Sequence, residues 1–443
     1  MRLRLVAVLM GLALLSVGGV YAAAQQFFPV KVLVNGQEVA FDTSPVISGG
    51  RTLVPLRALV EVLGGAVNWH PDRRVAEVVF PAPPPGAEPS YFFWREVGEQ
   101  AAKKALSHLG TPVDLLVLTN AGYVNPGGKS TLPCLDGIMA LTACTEGKGN
   151  LLRVHTADTR PLWFFFWDKK SGQGVFLELD RSVALQLLNR PAGQPLGQAA
   201  LWSKVACENI AAEHLLSHPQ QWNQKVQAKI FDGFEFGIVT IANLVAHGAP
   251  PELIQSALFH DHLCPGVTSG YLIAEYLKRH FPLSPGESYY VLALPPWCKE
   301  DALQVVLNTT PGKGGMAVIP MNEAAKARLK PEAKNLAGIY FRYHPAQQRG
   351  EGLVLAFDFG KAYEQSGVDM AKSFPWESRL KLDLWLLQYL DRPELFITEI
   401  KRFQLAPGEA PSDYAQPGTN PLVKLGLWQQ QFSGPHRAVG ARR

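Results

Sequence analysis

The residues able to do chemistry crowd into one short run, His260-Asp261-His262-Leu263-Cys264-Pro265-Gly266. It sets two imidazoles and a thiol within five residues. These are the ligand types of zinc and other borderline-soft divalent ions. In an extended segment, positions 260, 262 and 264 point to one side. Pro265 suits the first turn of a helix, where its missing N–H would be unpaired anyway. Val267, Leu272, Ile273, Tyr276 and Leu277 then follow at helical spacing. Cys264 is thereby expected at a helix N-terminus, whose positive dipole end favours a thiolate. Cys298 follows an expected strand, Tyr289 to Leu294, that could return it beside the helix start. His260, His262, Cys264 and Cys298 are therefore expected to converge on one transition-metal ion, zinc foremost. The plain alternative is a pair of surface histidines and a buried cysteine.

The elements that must position these residues read as an internal repeat. Cys134-Leu-Asp136 leads to Thr145-Glu-Gly147-Lys148-Gly149, and Cys298-Lys-Glu300-Asp301 leads to Thr310-Pro-Gly312-Lys313-Gly314. In both, the aspartate stands 11 residues before the Gly-Lys-Gly. Downstream, Trp163–Trp167 with Gly172–Asp180 parallels Tyr340–Tyr343 with Gly350–Asp358, two strands joined by a polar hairpin in each case. A helix with a late proline follows in each, near Leu215–Pro219 and Leu386–Pro393. Upstream, Gly110-Thr-Pro112 parallels Gly248-Ala-Pro250. That aligns Asn125-Pro126-Gly127 with Cys264-Pro265-Gly266 and sets Ala121, Tyr123 and Asn125 where the ligands stand. One copy is then equipped for metal and the other is not, so one ion per chain is expected.

The combination His260-x-His262-x-Cys264-Pro265-Gly266, Cys298, Asp301 and Thr310-x-Gly312-Lys313-Gly314 resembles the FmdE family, which takes its name from formylmethanofuran dehydrogenase. The resemblance spans Phe234 to Asp358 fully and Val97 to Asp180 in degenerate form. It implies an α+β core, commonly dimeric and implicated in metal binding, here fused as a pseudo-dimer within a monomeric chain. No cysteine follows Cys298, so the cysteine-rich C-terminal finger that some members carry is lacking.

The first 24 residues read as an export signal: Arg2 and Arg4, an apolar run from Leu5 to Val20, then Ala22-Ala23-Ala24. An uncleaved anchor is the alternative. The expected location is secreted or cell-surface. From 25 to 80, short alternating strands, an Asn35-Gly36 hairpin turn, Gly50–Arg57, Gly64-Gly65 and Val67-Asn68-Trp69 form a small β-rich module. This module resembles the copper amine oxidase N-terminal-like domain, a noncatalytic attachment suited to cell-wall contact. Residues 81–90 carry five prolines as a stiff linker. The degenerate repeat is then expected over 91–222, the metal-binding repeat over 223–425 and a tail over 426–443.

Across 443 residues the net charge is only +4, which does not argue for nucleic acid. Five cysteines are too few for a disulfide scaffold. No CxxC pair occurs, which excludes a zinc finger or ribbon. The glycine-flanked lysines, Gly147-Lys148-Gly149 and Gly312-Lys313-Gly314, suit an anionic small molecule or are simple turns. One cleft between the copies is expected to hold the metal group with Lys148 or Lys313 facing it. His344 is an outside candidate as a further ligand.

Three functions follow. The leading one is an exported metal-binding protein. The second is an enzyme whose metal activates water or a carbonyl, with Asp301 or Glu300 as base. The third is a surface protein whose metal only stabilises the fold.

Overall fold

The computed structural model describes residues 30–429 except 35–36, 189–195 and 197–199. The expected signal, the Asn35-Gly36 turn and most of the tail lie outside the described residues. The chain divides into two compact units, Met1–Glu88 and Pro89–Arg443.

The first unit is a chain of hairpins around one helix. β1 (Leu33–Val34) pairs with β2 (Gln37–Glu38), and β3 (Val46–Ser48) with β4 (Arg51–Leu53). α1 (Leu56–Val62) follows, and β5 (Ala66–His70) pairs with β6 (Val75–Val79). Val39, Val60 and Val67 are its buried apolar residues.

The second unit begins with α2 (Pro89–Leu109), β7 (Leu115–Thr119), α3 (Pro133–Thr142), β8 (Leu151–Arg153), β9 (Trp163–Asp168), β10 (Gln173–Leu179), α4 (Arg181–Leu188) and β11 (Trp202–Asn209). Four helices follow: α5 (Ala212–Ser217), α6 (Pro219–Gln227), α7 (Glu235–Ala246) and α8 (Pro251–Phe259). The chain continues through α9 (Pro265–His280), β12 (Ser288–Ala293), α10 (Lys299–Leu307), β13 (Met316–Val318), α11 (Glu323–Lys326), β14 (Leu336–His344) and β15 (Arg349–Phe357). It closes with α12 (Phe359–Ser366), α13 (Pro375–Leu386), β16 (Ile397–Gln404) and α14 (Pro421–Lys424). Helices combine with mixed, mostly antiparallel sheets, which makes the fold α+β.

The strands form two five-stranded sheets, ordered β8-β7-β9-β10-β11 and β13-β12-β14-β15-β16. Order and sense agree at every position: the first pair is parallel and the other three are antiparallel. Val117 opposes Leu151 and Phe166 in one sheet, as Val291 opposes Met316 and Tyr340 in the other. α3 and α10 both end on a left-handed residue, Ala143 (φ 55°) and Asn308 (φ 58°). The Gly-Lys-Gly turns close on Gly149 (φ 67°) and Gly314 (φ 66°). Glycine is suited there because a side chain strains that conformation.

This registration moves the correspondence read upstream in the sequence. Cys264-Pro265-Gly266 opens α9, which precedes β12, whereas Asn125-Pro126-Gly127 follows β7. The helix corresponding to α9 is α2. Gly98 of α2 lies against the Cys134 backbone as Gly270 of α9 lies against the Lys299 backbone. Ala121, Tyr123 and Asn125 therefore belong to an enlarged β7–α3 loop and are not the replaced ligands. Local similarity around proline and glycine misled because such residues recur wherever a helix starts. The late-proline helices also differ in place, since α5 follows β11 while α13 precedes β16.

Sequence pattern explains the layering. Trp163, Phe165 and Trp167 point to one face of the first sheet and Phe164 and Phe166 to the other, and all five are buried. Strands apolar on both faces must be covered on both. α2, α3 and α4 cover one face, and the helices from α5 to the start of α9 cover the other. In the second sheet, Val291, Tyr340, Leu353 and Leu355 pack under α9, α12 and α13. Its opposite face, with Leu292, Ile339, Phe341 and Val354, is covered by the segment from Leu405 to Leu427. The expected burial of both sets of strands in one shared interface is not what forms. Helices α7–α9 lie on the first sheet instead, because strands this apolar are covered equally well by helical faces.

Candidate metal centre

The central run is not one extended row. α8 ends on His260, whose N–H donates to Ser256 O at 3.0 Å. Asp261 then turns the chain with φ 66°. Gly237 leaves room for that turn, since a Cβ there would stand 2.5 Å from Asp261 O. Leu263 is buried and its N–H donates to Thr240 Oγ1 at 3.0 Å. Cys264 caps α9 in an extended conformation, with Pro265 in the first turn as the sequence implied. The left-handed residue breaks the alternation of side chains, and His262 is not among the gathered ligand atoms.

Two buried contacts bring Cys298 to Cys264. α10 crosses α9 where Gly270 meets the Lys299 backbone, and a Cβ on Gly266 would lie 2.9 Å from Cys298 Cβ. Glycine permits this close approach of helices. As a result, one ligand atom from each of His260, Cys264 and Cys298 lies within 4.8 Å of the others. Ligand atoms of a tetrahedral zinc site stand about 3.5–3.8 Å apart for ordinary zinc–nitrogen and zinc–sulfur distances. Small side-chain rotations close that difference.

His260 is held for this role. Its Nδ1 is 2.5 Å from Asp301 Oδ2. Its Nε2 is buried with no hydrogen-bond partner among the described residues. A carboxylate on one ring nitrogen and an ion on the other is the usual arrangement of a metal-bound histidine. His262 stands beside the group, with ring centroids 4.3 Å from His260 and 5.3 Å from Phe236. Its Nδ1 is engaged by Asp261 Oδ1 at 2.6 Å.

The three groups are coupled by proton sharing. The neighbouring Cys264 thiol and His260 ring favour the Cys298 thiolate and hold that thiol down at about 4. The nearby Cys298 sulfur, with burial, pushes Cys264 well above the ordinary thiol range. Burial disfavours the charged His260, but its hydrogen bond to Asp301 and the nearby Cys298 sulfur prevail and raise it to about 10. Without an ion the cluster is a thiolate held by a thiol and an imidazolium. An ion replaces those protons.

The other candidate residues have different settings. Asp301 is occupied with His260, and Gln304 Nε2 donates to its other oxygen at 3.4 Å. Glu300 is buried, accepting from Lys299 Nζ and from Trp297 N–H. Both carboxylates are thus held in hydrogen bonds with protein groups. Lys148 donates to Ala143 O at the end of α3, and Lys313 to Asn308 Oδ1 at the end of α10. They line separate surface depressions of about 460 and 430 Å³, neither of which includes the gathered residues. Gly147, Gly149, Gly312 and Gly314 shape those helix-end turns. The expected cleft with a lysine facing the metal group is thus absent among the described residues. His344 lies at the end of β14 against Gly286, outside the group. All five cysteines are free.

Sequence reading missed Asp383. This carboxyl is fully buried, and Thr268 Oγ1 donates to its Oδ1 at 2.7 Å. It lies within electrostatic reach of Cys264 and Cys298, and burial pushes its carboxyl well above the usual carboxylate range. It lies more than a hundred residues along the chain from Cys264, with no local spacing to signal it. A contact to the aspartate of the other Gly-Lys-Gly segment was also missed: Tyr91 Oη donates to Asp136 Oδ2 at 2.9 Å.

Residues 259–369 match the family described as FmdE, Molybdenum formylmethanofuran dehydrogenase operon. That segment contains all three gathered residues and ends beyond α12. Residues 33–79 match the Copper amine oxidase N-terminal domain and span the hairpins of the first unit. No curated protein matches the chain.

Proposed function

We propose that this chain is an exported metal-binding protein that holds one divalent transition-metal ion, zinc foremost, on His260 Nε2, Cys264 Sγ and Cys298 Sγ. The observation that carries this reading is the buried, unpartnered His260 Nε2 beside two sulfurs. A buried ring nitrogen without a partner costs about 1–3 kcal/mol, and an ion removes that cost. Two sulfurs and a nitrogen favour zinc over the harder magnesium or calcium. The FmdE match over this segment supports the same conclusion. Export rests on the amino-terminal sequence alone.

The one-ion stoichiometry draws support from the corresponding helices. Counting from the paired Asp136 and Asp301, Pro133 stands where Cys298 stands, and Tyr91 makes the contact made by His260. We read the first sheet with its helices as a second, ligand-free copy of the matched domain, supported by the identical strand order.

Three protein ligands leave a position for an exchangeable molecule, as in zinc sites that do chemistry. That favours a binding or catalytic role over a closed structural site. When bound, the ion would supply Lewis acidity there. Asp301 orients His260, and the buried surroundings of Cys264 exclude water from its sulfur.

The test is metal analysis of the purified chain after dialysis. One equivalent is expected in the parent, and less than a tenth of that in Cys298→Ala or His260→Ala. Full retention in both variants would remove the assignment.

A further inference from the structure

Around the cysteine pair, α12 and α13 contribute three polar groups whose hydrogen-bonding capacity is not filled by protein among the described residues. Asp383 Oδ2 is buried and unbonded. The Tyr363 hydroxyl has no hydrogen-bond partner, and the Arg379 guanidinium meets no carboxylate. Both helices come from outside the run that supplies the metal ligands.

Their placement converges on one side of the centre. Thr268 bridges Asp383 to the N-terminal turn of α9, its hydroxyl standing 2.7 Å from Asp383 Oδ1 and 3.4 Å from Cys264 O. Arg379 and Asp383 are four residues apart on α13 and so share a face. The Arg379 guanidinium lies 5.8 Å from the Phe236 ring centroid. Phe236 adjoins His262, and His262 adjoins His260. Tyr363 lies within electrostatic reach of Asp383, Arg379 and Cys264.

Resting on the reading of His260, Cys264 and Cys298 as ligands of one divalent ion, we propose that Arg379, Tyr363 and Asp383 form a recognition wall that seats a small monocarboxylate at the ion's remaining position. Charge limits the anion to a single negative charge. Two thiolates and a neutral imidazole balance a dication, the Asp301 carboxylate beside His260 adds one negative charge, and a monocarboxylate adds a second. The Arg379 guanidinium neutralises it, and its planar fork matches a carboxylate. The Tyr363 hydroxyl supplies a donor, and the Asp383 carboxyl, which burial keeps protonated, supplies a second through Oδ2. A dianion such as phosphate is disfavoured, because its further negative charge would meet the Asp301 carboxylate with no second cation to balance it. Lys148 and Lys313, engaged at helix ends elsewhere, take no part.

The experiment uses the full chain loaded with cobalt(II), whose visible bands report its ligands. Acetate is expected to shift those bands saturably. In Arg379→Gln, half-saturation should need at least tenfold more acetate with cobalt still at one per chain, and Arg379→Lys should fall between. Asp383→Asn tests the wall a second time, by the same titration. Bands of the loaded chain that acetate leaves unchanged would overturn the proposal. So would equal half-saturation in parent and Arg379→Gln, or phosphate acting at lower concentration than acetate. His262→Ala is expected to keep its cobalt; its loss would reveal a fourth protein ligand and close the position, leaving the metal reading intact. A chain that takes up no cobalt removes the metal reading and this inference with it.

Discussion

Asp301 sets what His260 can do. By accepting from Nδ1 it fixes the ring and leaves Nε2 facing the sulfurs. Asp301→Asn keeps the shape but loses the charge, and outer partners of this kind alter metal affinity about 10- to 100-fold. A loss in that range is expected in competition with a chromophoric chelator, with folding unchanged by circular dichroism. The protonation pattern gives a second expectation. At pH 7, Cys298 already stands above its value of about 4, whereas His260, at about 10, and Cys264, higher still, keep their protons. Loading an ion must displace two protons, so affinity rises with pH, by about a hundredfold per unit. Below about pH 4 a third proton competes and the dependence steepens. Proton release in weak buffer checks this; a release near zero would mean the imidazole and thiol are not both ligands. At this scale the sequence was largely legible, since residue type alone marks His260, Cys264 and Cys298. The place of His262 was not, because nothing in a lone aspartate announces the left-handed turn at Asp261.

Between residues and the whole stand the helices α9 and α10, whose crossing makes the site. Gly266 and Gly270 let the backbones touch, which carries Cys298 to Cys264. Any side chain at 270 meets the Lys299 backbone, which cannot rotate away. Gly270→Val should therefore cost about 1–3 kcal/mol, the usual penalty of overpacking. It should also weaken metal binding, by separating the sulfurs. Gly312→Ala provides the contrast. A Cβ there meets nothing within 4 Å, so stability should stay within about 0.5 kcal/mol. Denaturant midpoints and metal content of the two variants together test whether the crossing, rather than the Gly-Lys-Gly turn, holds the centre. The strand pairs and the turns were readable from alternation and glycine spacing. The helix contact was not, because Gly270 looks in sequence like an unfavourable residue within a helix.

At the scale of the molecule, two sheets have identical strand order, and the first shares one hydrophobic cluster with the helices that carry the gathered residues. That cluster joins Leu116, Phe165, Trp167 and Phe176 of the first sheet to Leu253, Cys264, Val267 and Ala302 around the metal centre. The sequence led to the expectation of two similar sheets, and their strand order is the same, but the upstream alignment does not match the element order. The loop after β7 is longer than that after β12, which only the separate pairings of Val117 with Leu151 and Val291 with Met316 make visible. The shared cluster has a consequence for dissection. A fragment beginning at 223 keeps every proposed ligand yet loses the first sheet. Burying a side chain such as Phe165 or Phe176 is worth roughly 1.5–3 kcal/mol, and such burial is what covers α7, α8 and the start of α9. The 223–443 fragment should therefore aggregate or stay unfolded, and should bind metal at least tenfold more weakly than the full chain. A fragment from 89 to 443 keeps the whole cluster, so it should unfold in one transition and retain one ion. Denaturation followed by fluorescence, with metal analysis of each fragment, checks both. A 223–443 fragment that folds and binds as tightly as the full chain would show that the second sheet and its helices build the centre without the first.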